Sequence, residues 1–367
     1  MSRNESSVDS IFGWIIAMLV ISGYFIFVSA SLGLMAQKSI TFFRIVFNQA
    51  LFGVFGGTLA LLISANIPYT FWRKAAFYIF VASVIITALV FIPQLSYSQG
   101  GARRWLAIGS FSFQPAELLK IGFVIYLSAW LASVKKKVTT FKYGLLPFAI
   151  LLGITALVLI TQPDTGTFAV IALAGTGMYI IAGAPWRYIA AIAGVGLSGL
   201  AALILARPYA QERITAFLNP AHEPLGAGYQ IRQSLIAIGS GEWFGRGLGQ
   251  SIQKFNFLPE PVGDSIFAVF AEEWGFIGAM ALLVLFMCFA LRGLKIAADA
   301  PDQFATLLAS GIIFLIVGQS FINIAAMLGV APLTGMPLVF VSQGGTALLT
   351  AMGGVGIILN ISRFRRT

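Results

Sequence analysis

The chain has 367 residues, of which 58% are hydrophobic and only 10% charged, with a mean hydropathy of +0.90 and a formal net charge of +10. A soluble globule is normally about half apolar or less, so this composition excludes one and points to an all-α, polytopic membrane protein, a single unit over residues 1–367. One cysteine, Cys288, and one histidine, His222, exclude an intrachain disulfide, a Cys-based metal cluster and Ser-His or His-rich zinc chemistry, leaving Asp, Glu, Lys, Arg and Tyr for acid–base work.

Apolar stretches of about 20 residues, the length that crosses a bilayer, fall near 11–34, 45–67, 75–95, 116–134, 143–161, 165–183, 186–206, 266–291, 304–329 and 345–361. The first is too long, and the leader MSRNESSVDS too weakly basic, for a cleaved signal peptide, so it is expected to be a retained helix. Lysine and arginine collect on cytoplasmic flanks. With the N-terminus inside, the inner side receives Arg73, Lys74, Lys135, Lys136, Lys137, Lys142, Arg187, Arg292, Lys295, Arg363, Arg365 and Arg366, which makes both termini cytoplasmic. The excess of positive charge is then that of cytoplasmic loops, and no soluble domain remains to bind nucleic acid.

The same orientation leaves Glu5, Asp9, Asp299 and Asp302 inside, while Glu117, Asp164, Glu212, Glu223, Glu242, Glu260 and Asp264 fall at or near the outer face. The outer loop 207–264 is too long to be mere linkage and is expected to be functional. Its segment YQIRQSLIAI, 229–238, has the apolar spacing of a helix lying with one face on the membrane. Gly53 and Gly57 in the second span, with Gly353, Gly354 and Gly356 in the tenth, suit close helix contact, packing being their main expected role.

Ionisable residues within apolar helices are costly and usually have a task or a partner. Residues 100–122, GGARRWLAIGSFSFQPAELLKIG, read as a basic turn with Arg103, Arg104 and an interfacial Trp105, leading into the fourth span. There Gln114 is a candidate N-cap, Pro115 the first helical residue and Glu117 the acid that such starts favour, but Lys120, one turn deeper, needs a counterion. Function and self-neutralisation both remain open for this pair. Asp164 in QPDTGT either caps the sixth span or joins a site. Asp264, where the turn NFLPEPVGD runs into the eighth span, is either an N-cap or a catalytic carboxylate. Its company in the outer loop, Glu260 with Arg213, Arg232, Arg246 and Lys254, favours the second reading. Glu272 and Glu273 need inward-facing partners, unless the helix enters the bilayer only after Gly275. In PLTGMPLVFVSQGGTALL, Ser342, Gly344 and Gly345 offer a hydroxyl and amides at a helix start, which suits an anion such as phosphate or simply a capped turn.

In five blocks, GARRWLAIGSFSFQPAELLKI, QPDTGT, RITAFLNP with PLGAGYQIRQSLIAIGSG, GLGQSIQKFNFLPE and PLTGMPLVFVSQGGTALL, the chain resembles the SEDS family (shape, elongation, division and sporulation) of FtsW and RodA type, closer to the FtsW branch. The first hundred residues match it in hydropathy only. The resemblance implies a peptidoglycan glycosyltransferase of the bacterial cytoplasmic membrane that polymerises lipid II into glycan strands on the outer face, beside a class B penicillin-binding protein. By motif match the family's catalytic aspartate falls on Asp264, and its important Glu and Lys on Glu117 and Lys120. This chain departs from the family in having Val262-Gly263 before the aspartate and Ser265 after it, where His-Thr and Phe are usual, and in Gln343 and Thr346 for Tyr and Ser. Such a reaction needs a base, Asp264, and positive charge on the leaving diphosphate, from Arg213, Arg232, Arg246, Lys254 and Lys120 or from a divalent cation (Mg2+ or Mn2+) on Glu117 or Asp264. A lipid flippase and a non-enzymatic scaffold for a cell-wall synthase are the rival classes. Division, elongation and sporulation are not distinguished.

Overall fold

The computed structural model describes residues 7–35, 39–99, 102–108, 111–220 and 226–365. Glu5, His222, Glu223 and Arg366, named above, lie outside them. Among the described residues nine helices are long and apolar enough to span a membrane: α1 (Ser10–Met35), α2 (Ser39–Asn66), α3 (Tyr69–Phe91), α4 (Pro115–Thr139), α5 (Phe141–Thr161), α7 (Trp186–Ala206), α10 (Ile266–Ala298), α11 (Gln303–Met327) and α12 (Gly345–Ser362). A tenth, α6 (Thr165–Ile181), is shorter but apolar. All ten coincide with the stretches that hydropathy picks out. Their ends follow from local chemistry. Pro115 sits in the first turn of α4, and the Asp164 and Asp302 carboxylates accept amide hydrogens from Thr167 and Ala305 at the starts of α6 and α11.

The most buried helices are α11 and α12. Around α11 pack α4, α6, α9 (Ala227–Ser240), α10 and α12, while α7 has no buried residue. Helix association in a bilayer relies on close packing rather than on hydrophobicity, and α2 and α12 meet through small residues. A Cβ on Gly57 would press on Met352, and one on Gly356 would overlap the Leu61 carbonyl, the close contact that the glycine pattern predicts.

Two features were not expected. A small antiparallel sheet, β1 (Ser96–Gln99), β2 (Ala102–Ile108) and β3 (Phe111–Phe113), stands where a basic turn is predicted. The outer loop carries α8 (Pro208–Leu218) as well as α9. Helix α9 buries Ile231, Ser234 and Ala237 against its neighbours, so that face packs on the bundle while Leu235 and Ile236 stay exposed.

The chain ends share one side of the bundle. Asp9, before α1, pairs with Arg292 at the end of α10 and with Arg365 after α12, and its backbone amide donates to Ser362 Oγ. The loop holding Asp264 leads into the other end of α10.

Candidate active site at the start of α10

The Asp264 carboxylate does not cap α10. The residue at the N-cap position is Ser265, whose side chain makes no capping bond, and Gln230 Nε2 on α9 instead donates to Asp264 Oδ1 at 3.0 Å and to Ser265 Oγ at 2.9 Å. The Asp264 carbonyl accepts from Asn323 Nδ2 on α11 at 2.8 Å, and the same amide donates to the Met336 carbonyl at 2.8 Å. Side chain and backbone are thus held from two helices. Oδ2 has no hydrogen-bond partner among the described residues and faces Gly335, where a Cβ would lie 4.0 Å from it and 3.6 Å from Arg213 Nη2. Gly335 has φ +69, so its backbone also favours the absence of a side chain.

Burial pushes the Asp264 carboxyl up to about 6, with the Glu260 charge adding to it and the Gln230 hydrogen bond and Arg213 opposing it. Arg213, on α8, donates to the Thr334 carbonyl at 3.3 Å. Its own pKa is lowered by burial and by the like charge of Arg104, against the raising influence of Tyr209, Asp264 and Asp164. These four charged groups therefore share one field, two cations and two carboxylates gathered around residues 334–336. The start of α6 abuts the same segment, since a Cβ on Gly166 would stand 3.2 Å from Thr334 and Met336 atoms. Asp164 does cap α6, with Oδ1 accepting from Thr167 at 3.3 Å, but its buried Oδ2 has no partner among the described residues.

Of the residues expected from sequence, Asp264, Arg213 and Asp164 meet here. Arg104 replaces Arg103: Arg104 binds the Gln162 and Pro163 carbonyls ahead of α6, whereas Arg103, its neighbour on β2, is exposed, as alternation along a strand requires. Arg232 is two residues beyond Gln230, about 200° round the helix, so it lies on another face of α9 from the residue that binds Asp264. Lys254 is spent elsewhere. It is fully buried, 2.6 Å from Glu273 Oε1 and 3.1 Å from the Ser29 carbonyl. Arg246 lies 3.6 Å from Glu272, which also accepts from Ser251 Oγ and from the Ile252 and Gln253 amides. Ser342 Oγ accepts from the Leu338 amide, the Gly344 amide donates to the buried Gln49 side chain, and Gly345 backs onto Phe52, packing that suits the capped-turn reading of this segment.

Glu117 and Lys120 form a buried pair at 2.8 Å. Glu117 also accepts from Thr350 Oγ1 at 3.3 Å, and Lys120 Nζ donates to Gln319 Oε1 at 2.5 Å. Gln319 Nε2 then donates to the Pro337 carbonyl at 2.9 Å. Gln319 and Asn323, one turn apart on α11, thus tie the Glu117–Lys120 pair and Asp264 to the same 336–337 backbone. Sequence reasoning missed Gln230, Gln319 and Asn323. The signal was two amides at i and i+4 in an otherwise apolar helix, which would stay unsatisfied without a polar partner. A cavity of about 20 Å3 adjoins the pair, room for about one water. Glu117→Gln or Lys120→Met is therefore predicted to cost about 1–3 kcal/mol rather than more, the stranded partner being partly solvated. Thermal unfolding in detergent checks this, and no change in either variant would remove the pair from the fold's support.

The family model described as cell cycle protein, FTSW_RODA_SPOVE, matches residues 10–367. Stage V sporulation protein E of Bacillus subtilis (strain 168) is 38% identical over 366 residues, covering 100% of both chains. The probable peptidoglycan glycosyltransferase FtsW of Geobacter sp. (strain M18) is 34% identical over 360 residues, covering 98% of each. Among solved structures, a chain of a peptidoglycan synthase complex that coordinates polymerization and crosslinking superposes with a TM-score of 0.79 at 26% identity, over 97% of this chain and 98% of that one. The rod shape determining protein RodA of Thermus thermophilus superposes with a TM-score of 0.71 at 25% identity, over 98% of both.

Proposed function

The chain belongs to the FTSW_RODA_SPOVE family of cell cycle proteins, and from that premise we infer that it is a peptidoglycan glycosyltransferase of the cytoplasmic membrane, acting in cell division or cell-shape maintenance. Its substrate is lipid II, its product the growing glycan strand, and its partner a class B penicillin-binding protein that cross-links the product. The orientation is the one that the lysine and arginine distribution favours, with the shared side of the two termini cytoplasmic and Asp264 outside.

Asp264 is the general base. The observation that carries this is its Oδ2, unpaired among the described residues, near Arg213 and against the side-chain-free Gly335, with the carboxyl raised to about 6. A base is most effective when its pKa lies near the operating pH. Oδ2 takes the proton of the acceptor sugar's hydroxyl as that oxygen bonds to the anomeric carbon of the donor. The bond from that carbon to the lipid diphosphate breaks, and its electrons leave with the diphosphate. Arg213 and Arg104 receive the developing negative charge. Attack is direct, so the configuration inverts and no covalent enzyme intermediate forms. Asp264 then gives its proton to water.

A divalent cation does not fit at Glu117, whose carboxylate already holds the Lys120 ammonium. At Asp264 the one open carboxylate oxygen is the one that takes the proton, so the described residues supply no free ligand for an Mg2+ or Mn2+ there either.

The polymerisation rate is predicted to fall tenfold per pH unit below about 6, as Asp264 is protonated, and to level off above. Because the Glu260 charge helps to raise that value, Glu260→Gln should move the acid limb to lower pH. A rate–pH profile on purified lipid II tests both, and a profile flat through pH 5–7 would remove Asp264 as the base.

A translocation reading draws on the broken α10 and the buried Glu117–Lys120 pair, since transporters use discontinuous helices and intramembrane charges. Against it, the backbone groups freed by the break are occupied by the chain itself: Phe276 and Ile277 amides donate to the Glu242 and Trp243 carbonyls, and Arg246 and Gly247 amides donate to the Glu272 and Glu273 carbonyls.

A further inference from the structure

The helix carrying Asp264 at its mouth is too long for the membrane. Helix α10 has 33 residues, about 50 Å at 1.5 Å per residue, against roughly 30 Å of hydrocarbon. Counting about 20 residues back from the charged Lys295 reaches Gly275. That is where the helix breaks, with φ +65 and ψ −166 at Gly275. It is also where the environment changes. Every residue from Ile266 to Glu273 is buried in protein, whereas Trp274, Phe276, Ile277 and Met280 are exposed.

The loop 241–247 fills the break. The backbone of residues 243–245 packs so closely on Gly275 that a Cβ there would overlap it, and the four hydrogen bonds described above give partners to the Phe276 and Ile277 amides and to the Glu272 and Glu273 carbonyls. Non-helical backbone at membrane depth requires such satisfaction. Having docked its backbone, the loop turns its two aromatic side chains outward: Trp243 is 64% and Phe244 80% exposed. Trp243 meets Phe276 of the spanning helix edge to face, ring centroids 5.2 Å apart, so the exposed loop aromatics run without interruption into the lipid-facing side of α10.

We propose that Trp243, Phe244, Trp274 and Phe276 form a collar that sits in the outer lipid interface, anchoring the loop to the membrane and fixing the height of Asp264 above it. Aromatic side chains concentrate at that level because their rings suit the boundary between hydrocarbon and headgroups. The nine residues Ile266–Trp274 then raise the site by about 13 Å over the hydrocarbon. A diphosphate on a membrane-anchored lipid lies in that layer, and its sugar just beyond. The significance of the height rests on Asp264 as the base, but the anchoring does not.

The experiment uses the single cysteine. In a Cys288→Ser background, a nitroxide is placed at Phe244→Cys, with Met280→Cys as the lipid-facing reference, Lys136→Cys as the exposed-loop reference and Glu260→Cys beside the site. The full chain is reconstituted in phosphatidylglycerol/phosphatidylethanolamine vesicles, and relaxation by oxygen is compared with relaxation by a water-soluble nickel chelate. The label at 244 should favour oxygen over nickel and report a depth at or inside the lipid phosphates, while that at 260 should be reached by nickel. A 244 label as open to nickel as the one at 136 would overturn the anchoring and leave the patch to a protein partner. A 260 label that favours oxygen would overturn the height. Activity enters neither readout, so failure here is separable from failure of the catalytic assignment.

Discussion

Asp264→Asn is expected to lower polymerisation of lipid II by about 10²–10⁴-fold, the usual range for losing a general base, without unfolding the protein. The amide keeps the shape of the carboxylate and still offers an oxygen to Gln230 Nε2, and the bond from Asn323 to the Asp264 carbonyl involves only backbone. Removing a charge whose burial is unfavourable does not weaken the fold. The same thermal midpoint with the activity gone is therefore the predicted pair of readings. Residual activity from Asp264→Asn should lose the acid limb near pH 6, because the group that titrates there is absent.

The second large effect lies away from the site. Lys254 and Glu273 are buried together at 2.6 Å, and Glu273 Oε2 also accepts from Ser29 Oγ at 2.5 Å, so one pair joins the outer loop, α10 and α1. Breaking a buried pair from one side strands the other charge and typically costs about 3–5 kcal/mol, whereas replacing both members by apolar groups is often neutral. Lys254→Met should thus lower the unfolding midpoint in detergent sharply, and Lys254→Met with Glu273→Leu should recover most of the loss. If the single variant melts like the parent, the pair does not hold the loop.

That residue also shows where the sequence stops being readable. Lys254, Arg232 and Arg213 are equivalent as cations of one loop, and nothing in their spacing says that Arg213 lies in the field of Asp264 while Lys254 turns to Glu273. The choice is made by α8, α9 and the Gly275 break, elements whose mutual packing is tertiary. The ten spans were legible because about 20 apolar residues between polar ends have few alternatives in a bilayer. Asp264 was legible because a carboxylate at the mouth of an apolar helix is costly. The sheet 96–113 was not, since its strands are short and the basic pair Arg103-Arg104 reads as a turn; the alternation that hides Arg104 and exposes Arg103 appears only once the strand is formed. Glu272 and Glu273 find the inward partners that one expectation required, and the helix also breaks at Gly275.

The most direct measurement is a paired assay on the purified chain in vesicles, following strand formation from lipid II and the movement of fluorescent lipid II between leaflets in the same preparation. Glycan strands from the wild type, about a hundredfold fewer or less from Asp264→Asn, and the same leaflet exchange in both as in empty vesicles is the predicted result. Accelerated exchange without strands, or strands from Asp264→Asn at the wild-type yield, would contradict it.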